Sequence, residues 1–114
     1  MNLNTFKNKL KNNPTEIDFS ETMAVIESEY EFIPIAFKNG SLENDEGQNT
    51  GSCKLFAFAK TQSLTKEETL ACFGQYYFDD VLKNPDGAGH QNIRNFMKTG
   101  FDGLSFKNDP LKER

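Results

Sequence analysis

Ser52-Cys-Lys-Leu-Phe-Ala-Phe-Ala-Lys60 is the stretch on which the fold class turns. Phe56 and Phe58 alternate with alanine, which is the pattern of a strand with one large apolar face. Ser52 is a good N-cap residue, and Ala57 and Ala59 favour a helix. A strand here would put a sheet at the centre of the protein. A helix makes the chain mostly helical, and that is the reading adopted.

On the C-terminal side, Thr65-Lys-Glu-Glu68 has the form of a capping box, in which each end of the motif satisfies the other's free N–H. The helix it opens carries Leu70, Phe73, Tyr77 and Val81 on one stripe, with Gly74 among them. A glycine inside a helix costs about 1 kcal/mol relative to alanine. Its place on the buried stripe predicts that another backbone packs against it. Asn84-Pro-Asp-Gly87 has the residue chemistry of a type I turn. A helix is then expected from about His90 to Thr99, stopped by Gly100. Leu104 and Phe106 alternate with polar neighbours and predict a short strand near 103–107, and Asn108–Arg114 reads as a frayed polar tail.

On the N-terminal side, Leu3, Phe6 and Leu10 mark an amphipathic helix that closes at Asn12-Asn13-Pro14. Asp18 and Glu21 form a second capping box, followed by Phe19, Met23, Ile26 and Tyr30 on one helical stripe that ends near Glu31. Phe32-Ile-Pro-Ile-Ala-Phe-Lys38 predicts a short strand near 33–38. Pro34 has no N–H for a ladder and pushes that strand to a sheet edge. Asn39-Gly40 turns the chain, and Ser41–Gly51 reads as a polar loop. The sum is an α+β protein: a single compact domain over residues 1–114, mostly helical, with a small sheet from strands near 33–38 and 103–107.

Composition excludes several function classes. A net charge of -4 works against the phosphate attraction that supplies most nucleic-acid affinity, so neither DNA nor RNA is an expected partner. No apolar run approaches the roughly 18 residues of a membrane-spanning helix, and the first residues lack a secretory h-region. Cys53 and Cys72 without such a segment predict free thiols in a reducing cytoplasm. One histidine and no CxxC motif exclude a zinc site, and Glu43-Asn-Asp-Glu-Gly47 does not alternate its oxygens as a calcium loop must. No metal and no cofactor are expected.

Three blocks, in this order and spacing, carry a resemblance: Phe37-Lys-Asn-Gly40 leading to Gly51-Ser-Cys-Lys-Leu-Phe-Ala-Phe-Ala59, then Thr69-Leu-Ala-Cys-Phe-Gly-Gln-Tyr-Tyr77, then His90-Gln-Asn-Ile-Arg-Asn-Phe-Met97. Together they resemble the HopJ type III effector family of small bacterial proteins over residues 17–106. The resemblance implies an α+β fold and effector-like action through a protein partner, and it implies no catalytic residues. Phe78, Gly89 and Phe101 depart from the family pattern, where Arg, Asp and Trp are expected. The first 20 residues contain a single serine and already show helical periodicity. That is unlike a flexible, Ser-rich type III export signal, so a cytoplasmic housekeeping role stands beside the effector reading.

The residues themselves point to one candidate site. His90 and Arg94, four apart on the last helix, share a border of its apolar face. His90 offers an acid or base, and Arg94 a fork for carboxylate or phosphate. Gly87-Ala-Gly89 ahead of the helix leaves backbone N–H groups free to face an anion. Asn39, Asn49, Ser52, His90 and Arg94 are therefore expected around one cavity for a small anionic ligand, with Gln91 and Asn95 completing the set. In the competing structural reading, His90 and Asn92 end the helix and Arg94 pairs with Asp79 or Asp80. Cys53 and His90 are candidates for a nucleophile pair, against the plainer reading of Cys53 as a small buried hydrophobe. Tyr76 either covers a neighbouring helix or lines a pocket.

Overall fold

Two capping boxes set the helical frame. In the computed structural model, which describes residues 2–114, Asp18 accepts the Ser20 N–H at 2.8 Å while Glu21 accepts the Asp18 N–H at 3.1 Å. In the second box Thr65 Oγ1 accepts the Glu68 N–H at 3.0 Å and Glu68 accepts the Thr65 N–H at 2.9 Å. Met1, the first residue of the expected 1–114 domain, lies outside the described residues. The helices are α1 (Leu3–Asn12), α2 (Phe19–Glu29), α3 (Thr50–Thr61), α4 (Lys66–Ala71) and α5 (Gln91–Thr99), with a π-helical segment over Tyr76–Val81. The strands are β1 (Tyr30–Phe32), β2 (Phe37–Asn39), β3 (Leu42–Asn44), β4 (Leu104–Phe106) and β5 (Leu111–Glu113). The protein is α+β, as its sequence predicts.

The 52–60 stretch is the central helix α3. Cys53 and the unbroken run from Leu55 to Ala59 are all buried. A helix covered on every side shows no amphipathic period, which is why alternation could be read into it. Phe56 is the hub of the core, with ring centroids 4.9 Å from Phe96, 5.4 Å from Phe73 and 6.4 Å from Phe37. Phe58 meets Phe6 of α1 edge-on at 6.1 Å. Each fully buried phenylalanine contributes roughly 2–3 kcal/mol by removing its ring from water. Eleven phenylalanines and no tryptophan suit this dry centre, since a ring without a polar atom needs no partner there.

The sheets are smaller and more numerous than the sequence predicts. The expected strand near 33–38 divides around Pro34 into β1 and β2, which belong to different sheets. β2 is the middle of an antiparallel sheet ordered β3-β2-β4, with Phe37 opposite Asn44 on one side and Phe106 on the other. β3 lies inside the stretch read as a loop. The tail is not frayed: β5 pairs with β1, Leu111 is buried, and the Arg114 Nε donates to the Glu27 carbonyl at 2.7 Å. The three corrections have one cause, because three-residue strands are held by distant partners rather than by local pattern. Leu111→Ala is accordingly expected to cost about 2–3 kcal/mol of stability in urea unfolding.

The helix expected from Thr65 to Val81 is also interrupted. α4 ends at Ala71, Gly74 takes a left-handed φ of 59°, and the chain rewinds as the π-helical segment, with the Leu82 N–H reaching the Tyr77 carbonyl at 2.9 Å. Such segments are rare and recur beside functional sites.

A cavity between two helix N-termini

α3 and α5 begin alike. Asn49 (φ 51°) and His90 (φ 55°) stand just before them in the left-handed region, and neither side chain caps its helix. Asparagine and histidine are among the non-glycine residues that best tolerate that conformation. Neither first turn carries an acidic residue. The first three N–H groups of each helix (residues 50–52 and 91–93) have no intrahelical acceptor, and none donates to another described residue.

Both N-termini open on one cavity of about 500 Å³. Its polar lining comes from Asn49, Ser52, His90, Gln91 and Asn92, and its apolar walls from Phe19, Leu42, Phe73, Tyr76 and Ile93. His90 is held on two sides. Its Nε2 lies 3.0 Å from Asp80 Oδ2, and the Tyr76 ring stacks on it with centroids 5.3 Å apart. Tyr76 and Asp80 both come from the π-helical segment, so the wider turn supplies both contacts. Tyr76 in turn packs on Phe19 at 5.0 Å. The arrangement offers N–H donors and the positive ends of two helix dipoles to a negative group, beside aromatic walls for a flat or apolar body.

Four of the expected ligand residues, Asn49, Ser52, His90 and Gln91, thus line one cavity, while the other three lie elsewhere. Asn39 is fully buried behind it, its Nδ2 donating to the Asn92 carbonyl at 2.7 Å and to Asn92 Oδ1 at 3.0 Å. Asn95 is turned to the sheet and donates to the Asn39 carbonyl at 3.1 Å. Arg94 faces the other way and holds the 84–89 loop, with Nε 2.6 Å from the Gly89 carbonyl and a terminal nitrogen 2.9 Å from that of Asn84. It borders a second cavity of about 480 Å³ with Leu82, Met97 and Lys98. The carboxylate pairing expected for Arg94 falls instead to His90 with Asp80, while Asp79 meets Lys83 at 3.2 Å.

Asn44 is the residue the sequence left unmarked. It accepts from Asn49 at 2.6 Å and from Asn92 at 3.1 Å, and so ties the two helix starts together from β3. The only sign in the sequence is its place in an Asn-rich loop. Cys53 does not meet the requirements of a nucleophile. It is buried, its thiol donates to the Ile35 carbonyl at 3.7 Å, and burial pushes its pKa up to about 11. Burial raises Cys72 and Tyr77 as well. A folded-state pKa above the unfolded value leaves stability intact below about pH 8.5 and removes it as pH rises toward the folded value. The melting temperature is therefore expected to hold to about pH 8.5 and then fall, less steeply in Cys53→Ala than in the wild type.

Among the described residues no group of three or more His, Cys, Asp or Glu side chains gathers as a metal site, and no helix is long and apolar enough to cross a membrane. The family model described as HopJ type III effector protein matches residues 3–111, nearly the whole chain. A crystal structure titled as that of "unknown function protein VPA0580" is 50% identical, with a TM-score of 0.97, over 100% of this chain and 95% of that one. No curated protein matches.

Proposed function

This chain belongs to the HopJ type III effector protein family, and from its cavity we propose that it binds a small anionic ligand with a flat or apolar body. The observation that carries this reading is the meeting of two segments far apart in sequence, 49–52 and 90–93, around one 500 Å³ space with His90 fixed in its wall. The ligand's charged group faces the N–H groups of the two helix starts, and its body lies against Phe19, Phe73 and Tyr76. His90 contributes a ring nitrogen, oriented through Asp80. Action on a protein partner, the other expectation from the family, calls for an apolar patch. Among the described residues the large exposed hydrophobic ones are Ile33 and Leu82, on separate segments, which supports that reading less. A single core cluster running from Phe6 to Leu111 supports treating residues 1–114 as one domain, and two free thiols fit a cytoplasmic setting.

Phenyl phosphate and benzoate serve as probes, with inorganic phosphate as the bodiless control. The aromatic anions are expected to raise the melting temperature by roughly 10 °C at about 100 times their Kd, where binding stabilises by about 2.7 kcal/mol. Gln91→Glu sets a carboxylate at the cavity mouth on an exposed position and is expected to weaken binding at least about tenfold without unfolding the protein, a helix start being a favourable place for an acid. Arg94→Lys should leave affinity unchanged. If no anion at millimolar concentration shifts the melting temperature, the proposal fails.

A further inference from the structure

Asn39-Gly40 is the one Asn-Gly pair in the chain, and its asparagine side chain is fully buried. In Asn-Gly sequences the backbone nitrogen of the glycine attacks the asparagine side-chain carbonyl carbon. A C–N bond forms, the glycine N–H proton passes to solvent base, and the side-chain nitrogen leaves as ammonia. Water then opens the five-membered succinimide at either carbonyl, giving aspartate or isoaspartate. The net change is amide plus water to acid plus ammonia, with no other reactant.

We propose that Asn39 is a conformationally gated deamidation site, inert in the native protein and reactive once the chain opens, whose product cannot return to the native fold. Three features close it in the folded state. The Gly40 N–H that must act as nucleophile donates to the Gly103 carbonyl at 2.9 Å. The Asn39 side chain is fully buried and held by both oxygens of Asn92. The backbone of Asn39 is paired on both sides, opposite Leu42 and Leu104, so the rotation that closes the ring requires β2 to leave the sheet.

The same contacts reject the product. A carboxylate at position 39 would set one oxygen against the Asn92 carbonyl and Asn92 Oδ1, two acceptors, where the amide nitrogen had donated. The other oxygen gains nothing, because Asn39 Oδ1 already has no hydrogen-bond partner. The polar groups on the surrounding elements, Asn92 and Asn95 of α5 and Asn44 of β3, are uncharged, and Lys38 and Glu43 project to the exposed face of the sheet. A buried carboxylate without a donor or a cation is strongly destabilising. Isoaspartate adds a backbone atom and also breaks the β2 register.

The test follows the wild-type chain by peptide mapping at mildly alkaline pH, folded and in urea, beside a free peptide of the same local sequence. The unfolded chain is expected to lose the amide at position 39 at the rate of the peptide. The folded chain should be slower by at least about 100-fold, the ratio set by the rarity of local opening. After dilution from urea, the folded fraction should contain only chains that kept the amide. Similar rates in the folded and unfolded protein would overturn the gating, and deamidated chains in the folded fraction in proportion to their abundance would overturn the trap. Asn39→Asp supplies a separate check, since a protonated acid regains a donor toward Asn92. Its stability deficit against the wild type is expected to shrink on acidification through the carboxylate range, and a deficit independent of pH would show that charge is not the cause.

Discussion

Gly74→Ala is expected to lower the unfolding free energy by about 3 kcal/mol, a large share of what holds a domain of this size together. Two costs combine. A left-handed φ of 59° disfavours a side chain by roughly 1–2 kcal/mol. The added Cβ would also sit 2.7 Å from both the Ile17 carbonyl oxygen and the Phe19 nitrogen. Those atoms are backbone and cannot rotate aside, so the start of α2 must move. That shift strains the Phe19 N–H bond to Gln75 Oε1, now 3.0 Å, and the Asp18 capping box beside it. Gly89→Ala is the matched control, with nothing within 4 Å of the new atom and no positive φ. It should lie within about 0.5 kcal/mol of the wild type. Urea unfolding of the two variants tests the argument, and equal midpoints would refute it.

Phe56→Ala is expected to cost about 3–5 kcal/mol, because the ring is fully buried and three other rings pack against it. The effect should reach the cavity. Phe73 forms part of its wall, and Phe96 follows Ile93 on the same face of α5, so losing the hub loosens α3 against α5. A variant that still folds is expected to bind the aromatic anions more weakly than the wild type as well as melting earlier. Phe56→Leu, which keeps most of the volume, should recover most of the loss. If the alanine and leucine variants are equally unstable, shape rather than buried volume governs this position.

The legible parts of the fold are those with local causes. Both capping boxes are complete at the residues that spell them, and the close approach at Gly74 follows from a glycine placed on a buried stripe. The candidate site was legible as chemistry but only in part as geometry. His90 and Arg94 are four apart and would share a face if both were helical. His90 instead stands outside α5 in the left-handed region, so the helical angle between them does not apply and the two side chains serve different cavities. Asn39 reads as a turn residue beside Gly40 and as part of the cavity lining, yet the pleat of β2 turns it inward onto α5.

The sequence by itself determined where α2 and α4 start, that the core is built of phenylalanine, and that the chain is α+β, because caps, periodicity and ring chemistry act within a few residues. Only the tertiary structure decided that Pro34 separates two sheets, that the C-terminal tail becomes β5, and that Asn44 ties the starts of α3 and α5 around one cavity. Those features depend on hydrogen bonds between groups distant in sequence, whose partners are known only once the chain has folded.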